Sequence, residues 1–169
     1  MNENTNEEEG KPEIDPAKLF DESEFNTIIV GKEGVLIPSD KSEYLVLLDE
    51  TSTREEKDEA LKQIKEQNDP KLLVDAIRNL ADPKKKAILI SACWETGMDF
   101  SSHLIFFTEL ACADDFAVAM EASTVILESE SISKADADKA IEIVNRKLDT
   151  NPTTAPILTD ILGHLNTVA

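Results

Sequence analysis

The chain is short of the residues that perform chemistry. It has 2 cysteines, 2 histidines and 1 tryptophan in 169 residues. Cys93 and Cys112 stand too far apart for a zinc knuckle or a redox pair. They read as small buried apolar residues in a reducing compartment. With 5 glycines there is no phosphate-cradling loop and no dinucleotide fingerprint, so no cofactor is expected. No apolar run is long enough to cross a bilayer, and the N-terminus lacks the basic and apolar layout of a signal peptide. A cytoplasmic protein is therefore expected. Positive charge is the other shortage: 17 Lys and Arg face 35 Asp and Glu, for a formal net charge of -18. A surface this acidic repels phosphate backbones and anionic membranes, which argues against nucleic acid and lipid as partners. Basic proteins or cations are the natural counterparts, although high charge also serves solubility alone.

What is present favours helices. Ala, Leu, Ile, Glu and Lys are common, aromatics make up 5% of residues, and the apolar share of 41% suffices for one sizeable core. The chain is organised around Asp69 to Glu128, which reads as two consecutive helix pairs. An offset of 30 sets Leu80 on Leu110, Ala81 on Ala111, Ala87 on Ala117 and Ala92 on Ala122. Asp69-Pro70 and Asp82-Pro83 each supply an N-cap acceptor followed by proline at the first helical position. Asp114 can cap the fourth helix, and Gly97 suits the left-handed end of the second.

These residues resemble the HEAT and armadillo superfamily. The likeness rests on Leu72, Leu73, Ala76, Ile77 and Leu80 in one helix, then Asp82-Pro83, Ala87-Ile88 and Ala92 in the next. It extends over Asp69 to Leu165. The resemblance implies an all-α fold of stacked antiparallel helix pairs winding into a superhelix, with the second helix of each pair lining the concave side. Such stacks present extended binding surfaces. A compact antiparallel bundle without superhelix is the alternative arrangement.

The flanks are assigned as follows. Residues 1–24 carry nine acids against two bases, poor in large apolar groups, and form an acidic disordered tail. Residues 25–169 form a single helical-repeat domain, in which 25–50 are an irregular or hairpin adaptor. Thr27-Val30 and Val35-Ile37 are β-prone around Gly31-Lys32-Glu33-Gly34, which suggests a short hairpin. Ser42 to Leu48 leans helical. Ser52 and Thr53, each with Glu three residues on, signal a capped helix to about Gln67. Leu104 to Leu110 is apolar nearly all round and should lie centrally. Ser133 and Pro156 open the last two helices, which Asn151-Pro152 separates.

The candidate site follows from charge. Between Lys86 and Lys134 lie eight acids and no base. Asp114, Glu121 and Glu128 recur every seven residues with Thr124 between them, on one helix face, and Glu95 belongs to the neighbouring wall. A groove for a basic segment competes here with an ordinary solvated face. Trp94, with Asp99 and Phe100 near it, either forms an exposed interaction spot or packs between adjacent pairs. Cys93, His103 and Glu109 have the residue types of a nucleophilic set, with spacing alone to recommend them. Lys84-Lys85-Lys86 is expected to pair with nearby acids. The function read from these features is a non-catalytic protein-interaction or scaffold module that presents an acidic helical surface to a basic protein partner. The alternative is a small-ligand-binding protein or enzyme with a pocket between helix pairs.

Overall fold

The computed structural model describes residues 28–30, 36–38, 42–148, 150 and 152–168. The acidic tail and the Gly31–Gly34 link lie outside the described residues. Strands β1 (Ile28–Val30) and β2 (Leu36–Pro38) pair antiparallel, with Ile29 opposite Ile37. Eight α-helices make up most of the other described residues, so the fold is all-α.

Local chemistry sets where the helices begin and end. α1 spans Ser42–Leu48 and α2 spans Arg54–Gln67. Thr53 Oγ1 accepts from the Glu56 N–H while the Glu56 carboxylate accepts from the Thr53 N–H, a complete capping box. α3 (Pro70–Asn79) and α4 (Pro83–Thr96) start at the two Asp-Pro pairs. Asp69 accepts from the Lys71 N–H and Asp82 from the Lys84 N–H. Gly97 ends α4 at φ 64°, where a Cβ would be strained. A 3₁₀ turn (Ser101–His103) leads into α5 (Leu104–Ala111). α6 (Phe116–Leu127) is capped by Asp115, whose Oδ1 accepts from the Val118 N–H at 3.0 Å. The expected cap, Asp114, is thus one residue too early. α7 (Lys134–Leu148) follows Ser133, which accepts from the Asp136 N–H. α8 (Ala155–Val168) takes its first helical bond on the Thr154 carbonyl.

The helices pack mostly with near neighbours in the chain. α2, α4, α6 and α8 lie in succession, each against the next. α3 packs on α4, α5 on α6 and α7, α7 on α8, and α1 on α2 and α4. One apolar core runs from Tyr44 to Leu165 through Ile77, Ile90, Leu104, Phe107 and Ile126. Each such side chain contributes about 1.5–3 kcal/mol by leaving water. Ala119 and Ala122 are fully buried, and their small side chains let α6 approach its neighbours closely. α5 is less central than its composition suggests: Ile105, Phe106 and Leu110 are half-buried, and the Arg78 guanidinium lies 4.9 Å from the Phe106 ring centre.

Corresponding helices are spaced differently from the sequence matches. The caps of α4 and α6 stand 33 residues apart, from 82 to 115, rather than 30. Counted from the caps, every buried residue of α4 falls on a buried one of α6 or its C-terminal end, while Val118 and Ala119 of α6 fall on half-buried Lys85 and Lys86. Leu89, Ile90, Ala92, Cys93 and Thr96 fall on Ala122, Ser123, Val125, Ile126 and Ser129. A slip of three residues is close to one helical turn, so the 30-residue offset retains much of the apolar periodicity while missing the true register.

Candidate functional site

The site is a face rather than a pocket. Counted from the residue before each helix, α2, α6 and α8 turn equivalent positions outward, and what stands there differs; on α4 the middle of this line, Ala87, Ile88 and Ser91, is half-buried. On α2 these are Arg54, Glu55, Asp58, Glu59, Lys62, Lys65 and Glu66, all charged. On α8 they are small or polar, with Thr159, Asp160, Gly163 and Asn166 at the centre. On α6 the same positions hold Phe116, Met120, Thr124 and Leu127 flanked by Glu121 and Glu128. Phe116 is 50% exposed, Met120 52% and Leu127 40%. The position equivalent to Leu127 on α4 is Trp94, 38% exposed, and the one equivalent to Glu128 is Glu95.

Trp94 joins the two helices. Its indole Nε1–H donates to Glu121 Oε2 at 2.8 Å. The bond holds the ring at the α4–α6 seam with one side in water. Trp94 therefore bridges adjacent helices and contributes exposed aromatic surface as well. Glu121 is half-buried by this arrangement, Glu95 and Glu128 are exposed, and the Thr124 hydroxyl bonds back to the Met120 carbonyl. These residues share the face.

Three expected members do not. Phe100 is core: it is 2% exposed and meets Phe107 edge to face at 5.5 Å between ring centres. The Phe100 ring turns inward and seals the α4–α5 link. Asp99 is exposed, but its carboxylate accepts from the Ser101 N–H and hydroxyl, and Ser101 Oγ accepts from the Ser131 N–H at 3.1 Å. It ties together the links that flank α5 and α6. Asp114 precedes the helix because Asp115 caps it, so the seven-residue series is reduced to Glu121 and Glu128 on the α6 face. Sequence reasoning missed Phe116, Met120 and Leu127. Their spacing of four and seven residues was the available signal, because it sets them on one line.

The thiol–imidazole–carboxylate set gains no support. Cys93 is buried, its thiol donates to the Leu89 carbonyl at 3.4 Å, and burial pushes its pKa far up, so the thiolate is suppressed. His103 has its pKa lowered by desolvation and then by the nearby Arg78. Cys112 is raised by burial too. The buried hydroxyls of Thr96, Thr108 and Ser129 donate to carbonyls of their own helices. Lys84 pairs with Glu50 at 2.6 Å on the surface, an exposed pair of small energetic weight.

Two clefts of about 410 Å³ each flank α2. One lies against α4, between Lys57, Asp58 and Leu61 on one side and Ile88, Ser91 and Glu95 on the other. The second separates Glu43 and Val46 of α1 from Glu55, Glu59 and Gln63 of α2. Among the described residues no group of three His, Cys, Asp or Glu is placed to hold a metal ion, and no helix is long and apolar enough to cross a membrane. No protein-family model, curated protein or solved structure matches the chain.

Proposed function

We propose that the chain is a non-catalytic protein-interaction or scaffold module, a HEAT-like superhelical stack of helix pairs that offers an acidic helical surface to a basic protein. The observation that carries this reading is the α4–α6 face, where Trp94 and three large apolar side chains stand in water beside Glu95, Glu121 and Glu128. Monomeric proteins rarely leave such groups contiguous, and interaction surfaces regularly do. α6 itself carries no Lys or Arg beside these carboxylates, while Arg54 and Lys57 of the α2 end line the cleft that Glu95 shares. The succession α2, α4, α6, α8 supports the stacked arrangement, since each second helix meets the next. Two buried, unpaired thiols suit a cytoplasmic setting.

The test is capture of proteins from lysate on the immobilised chain, eluted by rising salt. Basic proteins should be retained at low salt and released as screening grows. The pair Glu95→Lys and Glu128→Lys should abolish retention while leaving the helical circular dichroism intact. Retention that survives both changes would overturn the acidic-surface reading.

A further inference from the structure

Phe116, Met120 and Leu127 form a line about 16 Å long on the outward side of α6, three helical turns at 1.5 Å per residue. They stand out from the helix as a ridge. Beside the ridge run Glu121 and Glu128, and across the seam stands Trp94, held by its bond to Glu121. The face thus alternates apolar and acidic lines along one axis. The fold does not require the apolar line, because α2 and α8 place charged or small polar residues at the equivalent positions.

Building on the proposed function, we infer that the occupant of the α6 ridge is a basic amphipathic helix lying along it. Its apolar stripe packs on Phe116, Met120 and Leu127 against Trp94, and its Lys or Arg flank meets Glu95, Glu121 and Glu128. Charge selects the sign of the partner: Glu95, Glu121 and Glu128 flank the ridge and α6 itself carries no Lys or Arg, so the face attracts cations. The same charge disqualifies two nearer candidates. A second copy of the chain carries a net charge of -18, and the tail has nine acids to two bases. Backbone chemistry selects the helix. The main chain of α6 is hydrogen-bonded within itself and offers no edge, so an extended segment laid on the ridge would leave its own N–H and C=O groups unpaired against apolar surface. A helix satisfies those groups internally and presents residues at i, i+4 and i+7 to match.

Trp94 is the sole tryptophan, so its emission reports this face alone. The probes are two synthetic peptides of about 18 residues, five helical turns, with identical Leu and Lys composition. One has helical periodicity and the other strict alternation. Titrated into the full chain, the helical peptide should bind one to one and shift Trp94 emission to the blue, at least roughly tenfold more tightly than the alternating one. In the double variant Met120→Asp, Leu127→Asp the affinity should drop at least about tenfold, although the added negative charge favours a basic peptide. Equal or tighter binding by that variant would overturn the apolar docking and leave the acidic-surface reading intact. Equal binding of both peptides, or no binding of the helical one, would overturn the choice of a helix. Binding that ignores Glu95→Gln with Glu128→Gln, and ignores salt from about 50 to 300 mM, would instead remove the acidic-surface reading.

Discussion

α6 and α8 bury alike although they begin differently: the Asp115 carboxylate caps α6, whereas the buried Thr154 hydroxyl before α8 has no hydrogen-bond partner. Counted from their caps, Ala119, Ala122 and Ile126 of α6 match Leu158, Ile161 and Leu165 of α8, all essentially sealed from water. Their outward faces differ. α6 shows Phe116, Met120 and Leu127, whereas α8 shows Thr159, Gly163 and Asn166 near the corresponding places. Because the inward faces suffice to dock each helix, the outward residues are set by something other than the fold. The α8 face carries no large apolar side chain at these places.

The sharpest test divides α6 against itself. Ile126→Ala removes a fully buried side chain and should cost about 2–5 kcal/mol in chemical denaturation, the range for aliphatic deletions in a core. Leu127→Ala, one residue further, removes an exposed one and should change stability by no more than about 0.5 kcal/mol. Equal losses would mean that the outward face holds the fold after all. Next in size is the cap: Asp115→Ala should cost about 1 kcal/mol by leaving the Val118 N–H without its acceptor. Transplanting the α8 surface onto α6, with Met120→Thr and Leu127→Asn, should cost no more than about 1 kcal/mol, the difference in helix propensity. The same change should abolish helical-peptide binding. Gly163→Ala on α8 should stabilise by about 0.5–1 kcal/mol, since a Cβ there meets nothing within 4 Å. A loss would show that α8 is not the free face described.

The smallest effect should come from pH. The His103 pKa is lowered from 6.5, chiefly by desolvation, so the folded state holds the ring neutral while the unfolded chain takes up the proton first. Stability is therefore full above pH 6.5 and declines slightly as pH falls through the interval down to the lowered value. His103→Gln should flatten that slope. The affected groups, Arg78 and Asp75 among them, belong to α3, so peptide binding on the α4–α6 face should not follow this titration.

Much of the helical frame was legible. The Asp-Pro pairs, the Thr53 and Glu56 box, Ser133 and Gly97 act through local hydrogen bonds and backbone angles, which neighbouring residues determine. Register was less legible because a slip of three residues keeps apolar side chains on nearly the same stripe. The Ala matches at an offset of 30 stand about one helical turn from the 33-residue spacing of the α4 and α6 caps. Phe100 was misjudged because a lone aromatic in a link reads the same whether it turns inward or outward. The acidic residues of the candidate face were visible in the charge run. Its apolar ridge was not, because on a helix with apolar residues on most sides sequence alone does not show which side meets water. Only the packing of α4, α5 and α8 around α6 reveals it.

The neighbour-to-neighbour packing also bears on how the chain reaches this state. Among the described residues, no major helix contact spans more than three helices along the chain. Loops that must close are short, so little entropy is lost before contacts form, and folding on the microsecond-to-millisecond scale is expected of so local a topology. Synthesis from the N-terminus would allow α1 to α4 to dock before α7 and α8 exist. The α4–α6 seam, with Trp94 as its reporter, would then close midway through the process, and its emission would time the joining of the two halves of the molecule.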